Sequence, residues 1–239
     1  MREAGSGMET LNWRATVRIG IFVDSNTYNE YENIFVSLLM NELSKREHEI
    51  SLYLPENIKC DDLGLKKIVR LMGKSESSNL ASGIKKLISY IRFGFSRQGW
   101  FSQLFLETEK KSMDAVIFPF ADYRCLRAVQ KNSLRDASVP IVFLIHNLAA
   151  GSAIKVFREA KKMSSCKNLR VVALTFDGHL FPQKLGNLFS TYPPVQEADM
   201  ETTYIKEKLL EGVKKKSLLP ESFVLRIEKI INAEYASKS

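Results

Sequence analysis

The stretch that decides the fold is Val139–Asn147, VPIVFLIHN. In it, Pro140 precedes five consecutive apolar residues, Ile141–Ile145, and such a run is typical of a strand that is buried on both faces of a parallel sheet. The run ends on two polar residues, His146 and Asn147. Ligands bind at the carboxyl ends of the strands in an open α/β sheet, so His146 is the first candidate for a functional residue.

Strand and helix patterns alternate on either side of this stretch. Thr16–Asp24 predicts an apolar central strand, a helix is expected to begin near Glu30, and Glu49–Leu54 predicts a second strand, which completes a strand–helix–strand unit. Met113–Phe120 and Asn168–Thr175 predict two further strands. Helices are also predicted at Leu63–Met72, Leu80–Trp100, Leu126–Leu134, Ser152–Lys162, Tyr204–Lys216 and Glu221–Tyr235.

The alternation of these elements predicts an α/β fold, namely a Rossmann-like, three-layer α/β/α domain with a mostly parallel sheet. We expect residues 1–15 to be a flexible leader and residues 16–195 to form this single domain. No further strand–helix unit follows Val195, so residues 196–239 are expected to form a helical carboxyl-terminal extension.

Composition narrows the class of protein. The formal net charge of +8 favours partners that carry phosphates or other anionic groups. Three widely spaced cysteines fit a reducing compartment, and the sequence contains neither a run of about 18 apolar residues nor an apolar signal segment. These features together predict a cytoplasmic protein.

Several well-known functional motifs do not occur in the sequence. The turn after the first predicted strand, residues 24–28, has no glycine, which argues against a classical dinucleotide site, and no P-loop occurs. The spacing of His, Cys, Asp and Glu predicts no metal site, and the nucleophile elbow of serine hydrolases does not occur. No basic recognition helix or aromatic-rich sheet motif indicates nucleic-acid binding.

Polar residues follow several of the predicted strands, whose carboxyl ends share one edge of a parallel sheet. A neutral imidazole at His146 is able to orient or deprotonate a hydroxyl there, or to donate a hydrogen bond to a developing charge. Alternatively, His146 only hydrogen-bonds the backbone at the end of its strand. His48 lies in a charged turn and is expected to be solvated. The residues expected to line one cleft are Asn26, Thr27, Tyr28, Asp122, Tyr123, His146, Asn147 and His179.

The predicted helix Leu80–Trp100 combines an apolar stripe with four basic residues and no acidic residue. One interpretation is an interfacial helix on an anionic membrane, which would make the protein peripheral on the inner face of that membrane. The other interpretation is an ordinary surface helix whose stripe packs against the sheet. Under the first interpretation, the membrane-binding residues are Lys85, Lys86, Arg92, Phe95, Arg97 and Trp100.

Six segments carry a family resemblance: VRIGIFVDS, EYENIFVSLLMNELSKREHEISLY, MDAVIFPF, VPIVFLIHNL, NLRVVALT and STYPPV. In this order they resemble the amino-terminal, acceptor-side domain of family-4-like glycosyltransferases with the GT-B fold. The resemblance covers about residues 16–195, and the IHN at residues 145–147 is its most specific motif. Ser25–Asn29 departs from the family, whose members usually carry glycines at this place.

The resemblance implies that this chain handles the acceptor. Family members bind the nucleotide-sugar donor mainly in a second domain of about 150 residues, whereas only residues 196–239 follow Val195 here. The chain alone would then bind no cofactor, and a donor-binding domain or subunit would be its partner. The acceptor would be a glycan or a lipid-linked glycan, as in polysaccharide biosynthesis, with His146 in contact with the acceptor or the transferred sugar. Glu221–Tyr235 would correspond to the family's carboxyl-terminal helix, which crosses back onto the first domain.

Two other functions stay open at the level of the sequence. A non-catalytic scaffold of the same fold would recruit a partner transferase to the membrane. A receiver-like regulatory domain would need clustered acids near the first strand, and Asp24 alone meets part of that requirement.

Overall fold

The computed structural model describes residues 16–24, 30–55, 68–71, 97–146, 150–163, 165–173, 189–191 and 219–236. The strands in these ranges are β1 (Arg18–Phe22), β2 (Glu49–Pro55), β3 (Ile68–Leu71), β4 (Ala115–Phe118), β5 (Ile141–Ile145), β6 (Leu169–Ala173) and β7 (Phe189–Thr191). They form one sheet in the order β3-β2-β1-β4-β5-β6-β7, and every neighbouring pair is parallel. The predicted Rossmann-like α/β fold is therefore confirmed.

Five helices and one short 3-10 helix accompany the sheet in the described ranges. They are α1 (Glu30–Lys45), α2 (residues 97–109), α3 (Tyr123–Gln130), the 3-10 helix (Ser133–Asp136), α4 (Ala150–Lys162) and α5 (Glu221–Ala236). Helices α1, α3, α4 and α5 lie where the sequence predicts helices, with ends that differ by a few residues. None of the helices in the described part is long and apolar enough to cross a bilayer.

The middle of the sheet explains why β5 is apolar throughout. Ile141 pairs with Val116 of β4 on one side and with Leu169 of β6 on the other, and all five residues of β5 are buried. Alternate side chains of the strand enter two separate cores, since Phe143 packs into the core on one face and Leu144 into the core on the other. A strand that is covered on both faces has no solvent-facing position for a polar residue.

Helices cover both faces of the sheet and give the three predicted layers. Helices α2, α3 and α4 bury apolar residues against one face, and α1 and α5 bury theirs against the other. The helix α5 belongs to the carboxyl-terminal extension, and it packs on α1 with 6.1 Å between the ring centroids of Phe223 and Phe35. Helix α5 is thus part of the same core as β1 and α1.

Polar contacts reinforce the packing of α5 and overturn the prediction for His48. Glu228 of α5 accepts a hydrogen bond from Arg46 at 3.2 Å and is bonded to Nε2 of His48 at 2.9 Å. The side chain of His48 is only 8% exposed. The expected solvated position of His48 is therefore wrong, because a helix that is distant in sequence covers the turn between α1 and β2.

The prediction of a helix at Leu63–Met72 is wrong in its described part, because Ile68–Leu71 forms the edge strand β3. This strand pairs in parallel with β2, where Tyr53 lies opposite Val69. A short apolar segment fits the patterns of helix and strand equally well, so the neighbouring strand decides its conformation.

Helix α2 continues to residue 109, beyond the predicted end at Trp100. Phe101 and Leu104 are fully buried in the core, and the Phe101 ring packs edge-on against Phe22 of β1 at 5.7 Å between centroids. The apolar stripe of α2 therefore continues through residues that had no predicted structure. Residues 80–96 of the predicted helix lie outside the described ranges.

Candidate functional site at the carboxyl edge of the sheet

The sheet topology places a crevice between β1 and β4. The chain leaves β1 through α1 on one face and pairs next in β2, whereas it leaves β4 through α3 on the opposite face and pairs next in β5. This reversal is a topological switch point, where ligands bind in open α/β sheets. Asp24, Asp122 and His146 follow β1, β4 and β5, so all three stand at this edge.

His146 sits at the α1 face of this edge inside a cluster of aromatic rings. Its imidazole stacks on Phe120 with 4.4 Å between ring centroids and meets the edge of Phe35 at 4.5 Å. The Tyr31 hydroxyl lies 3.1 Å from Nδ1 of the imidazole, within hydrogen-bonding distance. His146 as a residue is half-buried, whereas Nε2 of the ring is buried.

The aromatic surroundings keep this imidazole neutral. Burial lowers the pKa of His146 to about 4, although a hydrogen bond with the backbone of Pro119 acts in the opposite direction. Burial also raises the pKa of Tyr31 to about 12. At neutral pH both groups are therefore uncharged, and the pair is able to exchange hydrogen bonds with a hydroxyl but not to supply a positive charge.

On the opposite face of the same edge lies a buried ion pair that the sequence analysis missed. Nε of Arg97 donates to Oδ1 of Asp24 at 2.8 Å, and the two side chains are 10% and 1% exposed. Burial raises the pKa of Asp24, while the Arg97 guanidinium and the Cys125 thiol act to lower it. The two partners are 73 residues apart in the chain, so no local sequence motif predicts that they pair.

This ion pair corrects two of the predicted membrane-binding residues. Arg97 points into the protein towards Asp24, and the Trp100 side chain is 3% exposed within the core. Neither side chain is available to a membrane, because α2 directs its first turn at the sheet. Lys85, Lys86, Arg92 and Phe95 lie outside the described residues.

Asp122 and Tyr123 occupy the start of α3. Oδ1 of Asp122 accepts hydrogen bonds from the backbone N–H groups of Arg124 and Cys125, so this carboxylate caps the helix. The Tyr123 hydroxyl accepts a hydrogen bond from Arg124 at 3.1 Å, which lowers the pKa of Tyr123, and Lys155 lies over its ring at 5.1 Å. Asp122 thus has a structural role already, whereas Tyr123 offers a hydroxyl that is bonded to Arg124 and a ring that is covered by Lys155.

The structure places part of the predicted site at one edge of the sheet, but on its two opposite faces. Asp122, Tyr123 and His146 all stand at the carboxyl edge, with His146 on the α1 face and α3 on the other. The remaining predicted site residues, Asn26, Thr27, Tyr28, Asn147 and His179, lie outside the described ranges. Among the described residues, no group of three or more His, Cys, Asp or Glu side chains is arranged to hold a metal ion.

Comparison with known proteins gives only remote structural likenesses. No protein-family model and no curated protein matches this chain. The glycosyltransferase SsfS6 of Streptomyces sp. SF2575, solved with thymidine diphosphate, is 12% identical with a TM-score of 0.43, and the match covers 73% of this chain and 52% of that one. This chain therefore spans about half the length of SsfS6.

Two further solved structures show how broad this likeness is. An alpha-glucosyltransferase in complex with UDP and DNA is 12% identical, with a TM-score of 0.35 and coverage of 68% of this chain and 37% of that one. TubZ of the Clostridium botulinum phage c-st is 10% identical, with a TM-score of 0.37 and coverage of 84% and 66%. Such values identify neither a family nor an activity, and the fold class rests on the sheet topology itself.

Proposed function

We propose that this chain is the acceptor-binding half of a glycosyltransferase that uses a nucleotide-sugar donor. The donor would be held by a separate domain or subunit, and the sugar would pass to a glycan or a lipid-linked acceptor. The observation that carries the proposal is the neutral imidazole of His146, which ends β5 beside the crevice between β1 and β4.

A neutral imidazole suits the recognition of a sugar or acceptor hydroxyl. Because its pKa is about 4, His146 is a hydrogen-bonding group and not a cationic acid at neutral pH. The Tyr31 hydroxyl fixes the ring plane, and Phe120 offers a stacked apolar face next to it. In this role His146 orients the reacting hydroxyl, and orientation is a major source of rate enhancement in transfer reactions.

The sequence order of the other predicted site residues is compatible with a part in the same acceptor site. Asn26, Thr27, Tyr28 and Asn147 follow β1 and β5, and His179 follows β6. Tyr123 would approach from the α3 side of the crevice, where Arg124 and Lys155 make its surroundings positive. This arrangement favours an acceptor that bears hydroxyls close to an anionic group.

One observation favours a second candidate, a non-catalytic scaffold of the same fold. Three aromatic rings pack against the His146 ring, and the Tyr31 hydroxyl bonds its Nδ1 atom. An imidazole with such neighbours is also adequate as a purely structural group at the end of a strand. The scaffold would bind a partner transferase and recruit it to its site of action.

An assay of sugar transfer distinguishes the two candidate functions. The tagged chain is purified with its native partners, and incorporation of label from UDP-, TDP- and GDP-sugars into glycan and lipid fractions is measured, in parallel with the isolated chain. We expect turnover by the assembly and none by the isolated chain. Turnover by the isolated chain would contradict the proposal that this chain is half of an enzyme. An inactive assembly would contradict the proposed glycosyltransferase activity itself.

The variant His146→Phe then tests the role of the imidazole, because it keeps a ring in the aromatic cluster and removes the hydrogen-bonding nitrogens. We expect a fall in kcat on the order of 100-fold. The matched control Tyr31→Phe removes only the partner hydroxyl and should cost less than about tenfold. Unchanged turnover in His146→Phe would contradict a catalytic role and support the scaffold.

A further inference from the structure

Among the described residues, net positive charge is concentrated on two neighbouring helices. The segment 123–131, which is α3 with Lys131, and the helix α4 together contain seven basic residues and one acidic residue. The helices of the opposite layer, α1 and α5, together contain six acidic and three basic residues. The α3–α4 pair therefore differs from the opposite layer of helices in the sign of its charge.

All seven basic side chains of these two helices are exposed, and we call this surface the α3–α4 basic face. The acidic residue, Glu159, is buried beneath it and pairs with Arg158 and Lys162. Within the described part of the chain, no carboxylate pairs with Lys155, which lies over the Tyr123 ring and links the two helices. The seven residues of the face are Arg124, Arg127, Lys131, Lys155, Arg158, Lys161 and Lys162.

An exposed apolar residue lies among these cations. Ile154 is 71% exposed, and Arg158 and Lys161 follow it at helical spacings of four and seven residues, on the same stripe of α4. A large aliphatic side chain in this position gains free energy when an apolar phase covers it. An exposed apolar residue that shares a stripe with cations is a feature of helices that lie in a membrane interface.

We propose that the α3–α4 basic face docks on the anionic surface of a lipid bilayer, with Ile154 inserted at the boundary between headgroups and acyl chains. Seven exposed cations match a surface of anionic lipid headgroups, and the bilayer supplies the apolar environment that Ile154 lacks. Nucleic acid would satisfy the cations equally well but would leave Ile154 in contact with water or phosphate.

This docking surface is distinct from the helix predicted over Leu80–Trp100. It shares Arg124 and Lys155 with the surroundings of Tyr123 in the proposed acceptor site, but vesicle binding is measured without sugar transfer, so the two proposals fail separately. Helices α3 and α4 each begin just after a strand ends, so the basic face starts at the carboxyl edge of the sheet. Docking would therefore bring the candidate site close to molecules held in the membrane.

Vesicle sedimentation with matched charge variants tests the docking surface. The full chain is mixed with phosphatidylcholine vesicles, with or without about 30% phosphatidylglycerol, at low and high salt. We expect binding only to the anionic vesicles, with loss at high salt. Lys155→Glu with Lys161→Glu should lower the partition coefficient at least about 30-fold.

The matched control is Lys45→Glu with Lys229→Glu on the opposite layer of helices. Each double variant reverses two positive charges, so both lower the formal net charge from +8 by the same four units, to +4. We expect the control to change the partition coefficient by less than about threefold, because it leaves the contact surface intact. Equal losses in the two variants would overturn the docking surface, since net charge alone would then drive binding.

A second pair of variants distinguishes insertion into a bilayer from phosphate binding. Ile154→Ser should weaken vesicle binding about tenfold, whereas Leu106→Ser on α2, which removes a side chain that is 55% exposed, should leave it unchanged. If Ile154→Ser has no effect and double-stranded DNA displaces the vesicles, the face binds nucleic-acid phosphates and the membrane proposal is wrong. Binding to neutral vesicles at the same strength would also overturn it.

Discussion

Asp24 and His146 end two strands of the same sheet, yet the protein accommodates these buried titratable groups in opposite ways. On the α2–α3 face, Asp24 is paired with the guanidinium of Arg97. On the α1–α5 face, His146 is surrounded by Tyr31, Phe35 and Phe120 and has a pKa of about 4. One group is stabilised by an opposite charge, and the other avoids carrying a charge.

This difference indicates different uses for the two sides of the crevice. A buried ion pair that links the end of β1 to α2 holds two elements together and has little freedom to bind a ligand. A neutral imidazole next to a hydroxyl is able to exchange hydrogen bonds without a large change in electrostatic energy. We therefore expect the Asp24–Arg97 side to dominate stability and the His146 side to dominate recognition.

The largest effect is expected when Arg97 is replaced. Arg97→Met keeps the apolar stem but leaves the Asp24 carboxyl buried without its cation, which should lower the free energy of unfolding by about 3–5 kcal/mol. Urea denaturation followed by circular dichroism measures this change. The double variant Arg97→Met with Asp24→Asn should recover a large part of the loss, and a double variant as unstable as the single one would show that the charge is not the cause.

The second expected effect is on the pH dependence of stability. The folded-state pKa of His146, about 4, lies below the value of about 6.5 for an unfolded chain, so the unfolded state binds more protons between these values. His146 should therefore cost the protein about 3 kcal/mol of stability as the pH falls through this window. The raised pKa of Asp24 acts with the opposite sign, because there the folded state takes up the proton first.

The contribution of His146 is isolated by comparison of unfolding free energies at pH 7 and pH 4 in the wild type and in His146→Phe. The wild type should lose more stability than the variant over this range, because the variant lacks the titrating group. Titration of the imidazole protons by NMR gives the same pKa directly. An imidazole that titrates near 6.5 would contradict the enclosed, neutral state.

A smaller effect is expected from the hydrogen bond between Tyr31 and His146. His146→Phe at pH 7 should lower the unfolding free energy by about 1 kcal/mol, because the Tyr31 hydroxyl loses its partner. The double variant Tyr31→Phe with His146→Phe should be within about 0.5 kcal/mol of the wild type, since neither polar group is then left in the aromatic cluster. A double variant with a much lower free energy of unfolding than the wild type would indicate that the imidazole makes further structural contacts.

The smallest effect is expected at an exposed ion pair, which serves as the reference for the buried one. Arg135 and Asp136 pair at 3.1 Å, and both side chains are more than half exposed. Arg135→Ala should change the unfolding free energy by less than about 0.5 kcal/mol, because solvent screens the pair. A loss comparable to that of Arg97→Met would show that burial is not what separates the two ion pairs.

The sequence was informative wherever a pattern is local. The unbroken run of β5 and the amphipathic pattern of α5 predict a buried strand and a packed helix, and both are confirmed. Local patterns were misleading at Ile68–Leu71, where a helix was expected and β2 recruits an edge strand. They were also misleading at Arg97 and Trp100, whose basic and aromatic character suggests a surface although both are buried.

By itself, the sequence determined the parallel α/β architecture and the position of His146 at the end of a strand. Both follow from periodicity and from the abrupt change to polar residues after β5, which are properties of neighbouring residues. Only the tertiary structure decided the electrostatic state of the site. The pKa of His146 depends on rings from α1 and on Phe120, and the partner of Asp24 lies 73 residues away, so desolvation and pairing arise only when distant segments meet.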